Sequence, residues 1–599
     1  MRDIAILLPI WLPLCLLLLA LALPLQQRFF SQPPAATSHV TAFPVASLGL
    51  LLAILAVLAV TFSLWASGRS HPNLIGGSLP WNDAASYFRG ANALLDSGEL
   101  TSWSQRRPIY TSLLAGFLSL SGRDLQLALL LQGALVGAVA FFTARVATRQ
   151  MGVVAGLLVF ALLFSFAHEH APITMTENAG FLFGALGIAF LWMAIEKKHA
   201  GWFAAAGLLL MTGLMARAGA FLVIPFLFLA IGFAFRHQRR TAITCALGFL
   251  VGILLAILLN QAIYWYAGSN ETMPFSNFSY TLYGLAVGGK GWQQIYTDYP
   301  AIFQSGEGIV SQKIYMLTFE HMVENPLDFV IGYAKGLPHM AQVLFGFVPY
   351  SLPVPKPFAI FFILLWLTGL WTAFRNRQKP HALFLLAATA GAVLSAPFLA
   401  DVDSRIYAAT IPFDAFLVCL GFSTIAAWQM RNQKRTPPIP AATPGLSAQL
   451  IGMAGILLAL TLAGTFLFPK LKAEALPGLT CGKAEIPIVL RLGSESPLVA
   501  LRANPPLTFF PPQPRHQDFT ALLRREVHLW EKLKQLPPET ILIEGYEKQR
   551  KGHSGSAWIA WQTEDLPPRG SLVGFCLKPG PHPLLGPTFR EPASVRVLE

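Results

Sequence analysis

Apolar runs of about twenty residues recur along the chain, separated by short basic turns and three long polar stretches. They lie at 4–25, 43–66, 124–146, 151–167, 176–195, 201–216, 218–235, 241–266, 357–374, 381–400, 406–428 and 448–468. A helix rises 1.5 Å per residue, so runs of this length match the ~30 Å hydrocarbon core of a bilayer. The pattern predicts an all-α polytopic membrane protein with about twelve transmembrane helices. Composition agrees: of 599 residues, 54% are hydrophobic and 12% charged, with a mean hydropathy of +0.53. Soluble domains carry about 25% charged residues. Disorder, a coiled coil and an ordinary cytosolic enzyme are excluded.

The net charge of +13 matters through its placement. Arg145 and Arg149, then Lys197 and Lys198, then Arg236, Arg239 and Arg240 occupy every second short loop. Arg375, Arg377 and Lys379, then Arg431, Lys434 and Arg435, continue the series. Loops enriched in Lys and Arg stay cytoplasmic. Both termini are therefore expected outside, with Arg28 in an inner loop. Ala20-Leu21-Ala22 mimics a signal-peptidase site, but cleavage there would invert every later loop against the charge pattern. The expected location is the plasma (inner) membrane, in several passes.

The long stretches 67–123, 267–356 and 469–599 then all face outward. Within the first, 108–120 is too short to span, at ~20 Å, and reads as a juxtamembrane or re-entrant segment. In the second, 326–355 is apolar, aromatic and broken by prolines, which suits helices lying on the membrane surface. The proline-rich stretch 436–447 is a tether to the last span. The chain divides into a membrane domain, 1–468, and a small extracytoplasmic α+β domain, 469–599. That tail carries strand-like runs at 486–492, 496–501, 541–544, 557–561 and 571–578, with a helix around 519–536. Cys15, Cys245 and Cys419 lie in apolar runs. Cys481 and Cys576 are outside, where an oxidising compartment favours a disulfide over two free thiols.

Candidate chemistry gathers at outer helix ends. Asp83, in Trp81-Asn82-Asp83-Ala84, is a carboxylate at the membrane surface, able to deprotonate a hydroxyl or hold a metal. The plain alternative is that Asn82 or Asp83 caps the helix beginning near Ala84. The next outer loop reads His168-Glu169-His170-Ala171-Pro172. Two histidines and a carboxylate suit a divalent transition metal if Pro172 keeps the chain extended; otherwise they are surface polar residues. Thr174-x-x-Glu177 has the form of a capping box opening an apolar helix. Arg217 lies near membrane depth, where a charge usually has a partner or faces a cavity. Arg405, in Asp401-Val402-Asp403-Ser404-Arg405-Ile406-Tyr407, can bind a phosphate bidentately or pair with its neighbouring aspartates.

These elements resemble the GT-C superfamily of polyprenyl-phosphate-sugar-dependent glycosyltransferases, in particular the protein mannosyltransferase and lipid A aminoarabinose transferase branch. The resemblance rests on Asp83, Tyr87, Gly98 and Arg107-Pro108-Ile109-Tyr110. It runs over residues 75–240 and more loosely over 380–430. The chain departs from the pattern in one additional early span, in Asn82-Asp83 replacing paired acids, and in its tail. The resemblance implies an inverting membrane glycosyltransferase acting on the extracytoplasmic face of a cell envelope. Its partners would be a polyprenyl-phosphate sugar donor and a lipid, glycan or protein acceptor, with no nucleic acid. Asp83 and Glu177 would be catalytic. Tyr87, Arg107, Tyr110, Glu169, Arg217, Arg405 and Tyr407 would bind substrate, and a divalent metal at His168 and His170 is the one cofactor expectation. Two other functions fit a polytopic chain: a lipid-linked glycan flippase or transporter, and a non-catalytic assembly protein.

Overall fold

The computed structural model describes residues 39–269, 272–339, 356–399, 404–432, 445–470, 478–493, 496–501, 527–546, 556–563, 565–586 and 588–598. The long helices begin with α1 (His39–Ser67), which leads to a small antiparallel pair, β1 (Leu74–Ile75) and β2 (Leu79–Pro80). Next come α2 (Asn82–Ser97), α3 (Pro108–Leu120), α4 (Leu125–Met151), α5 (Val153–His170), α6 (Thr176–Lys197), α7 (Ala200–Ala216), α8 (Val223–Ala234) and α9 (Arg239–Ala267). The next stretch holds α10 (Phe278–Ala286), α11 (Gln294–Asp298), α12 (Glu307–Glu324) and α13 (Pro326–Gly336). Helices α14 (Lys356–Arg375), α15 (Pro380–Ser395), α16 (Ile411–Asn432) and α17 (Leu446–Phe466) complete the bundle.

Each expected run from 43–66 onward contains a helix over all or part of its length among the described residues; the run 4–25 lies outside them. Among the described residues, eight helices are long and apolar enough to cross a membrane. Their burial separates centre from rim. The apolar window of α6 is 100% buried, whereas those of α1, α9 and α17 are each 28% buried. An apolar helix that exposes most of its surface needs lipid around it, so α6 is the axis and the others form the lipid face.

Two expectations need correcting. The run 218–235 forms a helix only over α8, twelve residues or ~18 Å, because the chain turns irregularly through Arg217–Leu222 first. Segment 108–120, expected as juxtamembrane or re-entrant, does not lie on the surface. Eleven of its thirteen residues are buried, and Gly116 packs its backbone against Leu460 of α17.

The remaining strands are β3 (Ile486–Arg491), β4 (Leu498–Ala500), β5 (Thr540–Tyr546), β6 (Ser556–Gln562), β7 (Leu572–Leu577), β8 (Phe589–Arg590) and β9 (Pro592–Val597), with α18 (Val527–Lys534) before β5. They form a three-stranded sheet, β3-β7-β9, and a four-stranded one, β4-β5-β6-β8. The short β8 and β9 were not expected; Pro592 and the charged Arg590 and Arg596 hide their alternation. Side chains alternate faces along a strand. Ile541, Ile543, Ile559 and Trp561 accordingly meet Ile488, Leu490, Val573 and Phe575 of the other sheet. Leu542, Trp558 and Ala560 face the opposite way, onto Leu529 and Leu533 of α18. The same face receives Ile75 of β1, Leu79 of β2, Trp81 and, from the start of α2, Ala85. The β-sheet unit therefore sits directly on the loop that carries Asp83. The sulfurs of Cys481 and Cys576 are bonded, with Cα atoms 5.5 Å apart.

Candidate functional site

The site assembles around Glu177, in the first turn of α6 and fully buried. Its Oε1 lies 3.4 Å from Arg217 Nη2 and 3.6 Å from Arg405 Nε. Arg217 follows directly on α7, and Arg405 belongs to a short 3-10 turn, Ser404–Tyr407, ahead of α16. Glycine brings these three elements together. A Cβ at Gly184 would stand 2.2 Å from the Ala409 carbonyl, and one at Gly180 would stand 2.9 Å from Arg217 Cβ. Small residues of this kind let membrane helices approach closely. Arg217 Nε and Nη2 are buried, with no hydrogen-bond partner among the described residues.

The turn before α6 is held from two sides. Gln132 of α4 donates to the carbonyls of Ala171 and Ile173, at 2.9 and 3.3 Å. Asn178 donates to His170 and Ile173, at 2.8 Å each. The expected capping box does not form. Met175 takes the N-cap position, and Thr174 instead donates to the Ala84 carbonyl at 2.8 Å, pinning α2 to α6.

Asp83 does not cap α2 either. The helix begins at Asn82, with φ of 49° and its Nδ2 donating to Pro72 at 2.8 Å, and Trp81 stands in the cap position. The half-buried Asp83 carboxylate accepts no hydrogen bond from a described residue. One turn on, the buried hydroxyl of Tyr87 feels Arg107, Asp83, Arg217 and Glu177 together. Burial raises its pKa above the usual tyrosine value, and Arg107 opposes that. Tyr110 crosses Tyr87 edge to face, with ring centroids 5.4 Å apart. Arg107 is 4% exposed; burial lowers its pKa to about 10, against the pull of Tyr87. It donates to Asn277 at 3.2 Å and lies 4.7 Å above the Phe275 ring.

The structure thus brings together Asp83, Tyr87, Arg107, Tyr110, Glu177, Arg217 and Arg405. Other candidates fall apart. The histidine segment is not extended: α5 runs through His170, and residues two apart on a helix point to nearly opposite sides. His168 is buried against Phe164, bonding its carbonyl through Nδ1 at 3.0 Å, while His170 packs on Phe166. They form no metal-ligating group; among the described residues such a grouping occurs only at Cys481, Glu485 and Cys576, where the disulfide takes both sulfurs. Glu169 is half buried beside His168 and is not among the charges acting on Tyr87, Arg107 or Glu177. Tyr407 is buried, and the charge acting on its hydroxyl is Asp414. Asp401 and Asp403 lie outside the described residues.

Sequence reasoning missed the contacts between the β-sheet unit and α2. Trp81 packs on Trp558 and Phe589, at 4.8 and 5.9 Å between centroids. Arg89 reaches Glu544 at 2.8 Å and lies 5.3 Å over Trp558. Glu544 falls on the even-numbered face of β5, with Leu542, which is the face turned to α2. Burial pushes its carboxyl up to about 7, with Arg89 acting against the rise. A glutamate in an alternating strand was the available signal, but its partner is 455 residues away.

No known family profile matches the chain, and no curated protein matches it. Among solved structures it is similar to the crystal structure of ArnT from Cupriavidus metallidurans bound to undecaprenyl phosphate. The two share 13% identity over 68% of this chain and 88% of that one, with a TM-score of 0.28.

Proposed function

We propose that the protein is a membrane glycosyltransferase that moves a sugar from a polyprenyl-phosphate donor to an acceptor on the extracytoplasmic face. One observation carries this reading. Arg217 and Arg405 flank Glu177, and Arg107, Arg217, Asp83 and Glu177 all act on the Tyr87 hydroxyl, at one end of a membrane-embedded bundle. Arg217 Nε and Nη2 are buried with no hydrogen-bond partner among the described residues. A phosphate that stays attached to a lipid tail answers both the charge and the depth.

The chemistry is a single displacement. The acceptor hydroxyl attacks the anomeric carbon, the carbon–oxygen bond to the phosphate breaks, and polyprenyl phosphate leaves with the electron pair. Asp83, unencumbered by hydrogen bonds, takes the proton. Glu177, engaged by two arginines, holds them in position rather than acting as a base. Charge developing on the leaving phosphate is met by fixed guanidiniums in a site shielded from water.

The test is reconstitution of the purified protein into liposomes with radiolabelled undecaprenyl-phosphate sugars and an envelope lipid extract. Label moving into the acceptor fraction supports the reading. Label crossing the bilayer without transfer, or no change at all, overturns it.

A further inference from the structure

The stretch between α10 and α12 builds a surface of a different kind. From Gly288 to Ser305 its large exposed apolar side chains are Trp292 (40%), Tyr296 (45%) and Tyr299 (41%), each aromatic. Tyr296 stacks on Phe303 at 4.3 Å, Trp292 meets Tyr296 at 6.1 Å, and Tyr280 closes the group at 5.8 Å from Tyr296. In the same stretch Lys290, Gln293, Thr297, Asp298 and Gln304 are exposed. Asp298 is set in place from both sides: Tyr283 donates to Oδ2 at 2.7 Å and Gln294 to Oδ1 at 2.8 Å. Each carboxylate oxygen accepts one hydrogen bond here and has a second lone pair, and the residue is exposed.

Contrast the two following helices. Met316, Phe319 and Val323 of α12 and Leu327, Val330 and Ile331 of α13 are exposed, and all but one are non-aromatic. Lipid chains would seat on that surface. Flat rings interleaved with oriented hydrogen-bond acceptors instead match a pyranose, whose faces present C–H groups and whose edge presents hydroxyls. The patch also adjoins the candidate site. Tyr280 is acted on by Glu307 and Arg106, which are paired at 2.5 Å, and Arg106 precedes Arg107 in the chain.

We propose that Trp292, Tyr296, Asp298 and Tyr299 form a saccharide-binding platform, stacking a sugar ring on the aromatic faces while Asp298 accepts its hydroxyls. As a seat for the glycan part of the acceptor, this deepens the transferase reading and rests on it; saccharide binding itself does not.

The experiment applies the full-length protein in nanodiscs, free of glycoside detergents, to a printed array of neutral, N-acetylated and acidic oligosaccharides. Wild type is expected to be retained on a subset. Trp292→Ala with Tyr296→Ala should lower that retention roughly tenfold, from two lost stacking contacts. Trp292→Phe, which keeps a ring, should restore most of it, and Asp298→Ala should lower it in a protein with all rings intact. Trp292 and Tyr296 are exposed, and a melting temperature matching wild type establishes that Asp298→Ala, which loses its bonds to Tyr283 and Gln294, is folded when its retention is read. No retention of any saccharide by wild type, or equal retention by the double variant, overturns the proposal. So does fluorescence quenching by brominated lipids that disappears in Trp292→Phe, since lipid would then cover the patch. Retention without sugar transfer would leave the platform standing and remove the transferase reading instead.

Discussion

Helix α6 carries an acid near each end, Glu177 fully buried and Glu196 half-buried, and the two are built differently. Glu177 faces Arg217 and Arg405 at 3.4 and 3.6 Å, and neither contact appears among the hydrogen bonds. Glu196 at the far end is closed in. Arg149 lies 3.1 Å away, Gln150 donates to it at 2.5 Å, and Gln150 also meets His381 at 2.9 Å and the indole of Trp192. At the first end Arg217 Nε and Nη2 are buried with no hydrogen-bond partner among the described residues; at the other, a bridging amide links Glu196 to its neighbours, although Glu196 Oε2 too accepts no hydrogen bond from a described residue. Buried polar groups normally find partners, so an end left open is poised for a ligand, while a closed one serves the fold.

The strongest way to break this contrast is at Asp83. Asp83→Asn keeps shape and half-burial and removes basicity. Because Asp83 makes no cap hydrogen bond, helix α2 should be unaffected. Transfer is expected to fall ~10²–10⁴-fold, or ~3–5 kcal/mol of barrier, with donor binding unchanged in a filter assay. Transfer at the wild-type rate would show that the open end is not catalytic through this group.

Next in size is Glu177→Gln. Removing the acid leaves Arg217 and Arg405 facing each other in a buried space, and breaking one partner of such a pair costs about 3–5 kcal/mol. Thermal unfolding in detergent should show a marked loss, partly recovered by adding a polyprenyl phosphate, whose charge replaces the carboxylate. A variant as stable as wild type would mean that the arginines are satisfied elsewhere.

How much of this was legible in the chain follows from range. The spans were readable because twenty apolar residues in a row carry their own signal, as at 176–197. Residues Asp83, Glu177, Arg217 and Arg405 stood out because charge at a helix end is rare in so apolar a chain. Their mutual arrangement was not readable: Gly184 against Ala409 and Gln132 against Ala171 are contacts between distant segments. The capping readings failed for a local reason. Positive φ at Asn82 starts α2 one residue before Asp83, and Thr174 finds a tertiary acceptor, Ala84, in place of its own helix. The histidine segment went the other way, because α5 continued through it to within two residues of Pro172.

A smaller effect comes from the contact between the β-sheet unit and α2. The Glu544 carboxyl, at about 7, lies above its ordinary 4.5. The folded state therefore binds more proton than the unfolded one between those values. Stability from this group is complete below about 4.5 and is lost as pH rises through about 7, by at most about 1.4 kcal/mol per pH unit. Hydrogen-exchange protection in β5 and in α2, corrected for the intrinsic rise of exchange with pH, should fall from pH 5 to pH 7.5, and Glu544→Gln should flatten that dependence. Equal protection at both values would mean that the Arg89 pair outweighs burial.

The smallest effect is expected at Glu196, and its smallness is the point. Arg149 is 39% exposed and Glu196 is 20% exposed, so their attraction is screened by solvent. Glu196→Gln retains an oxygen for Gln150 and Arg149 and removes only charge. Pairs of this exposure contribute about 0–1 kcal/mol, so the melting temperature should move by no more than a few degrees. Transfer should match wild type within twofold. The same acid-to-amide change at Glu177 and at Glu196 would then separate a ligand site from a structural clamp on one helix. A tenfold loss of transfer from Glu196→Gln would mean that the two ends of α6 communicate, and that the closed network at the far end helps to set the positions of Arg217 and Arg405.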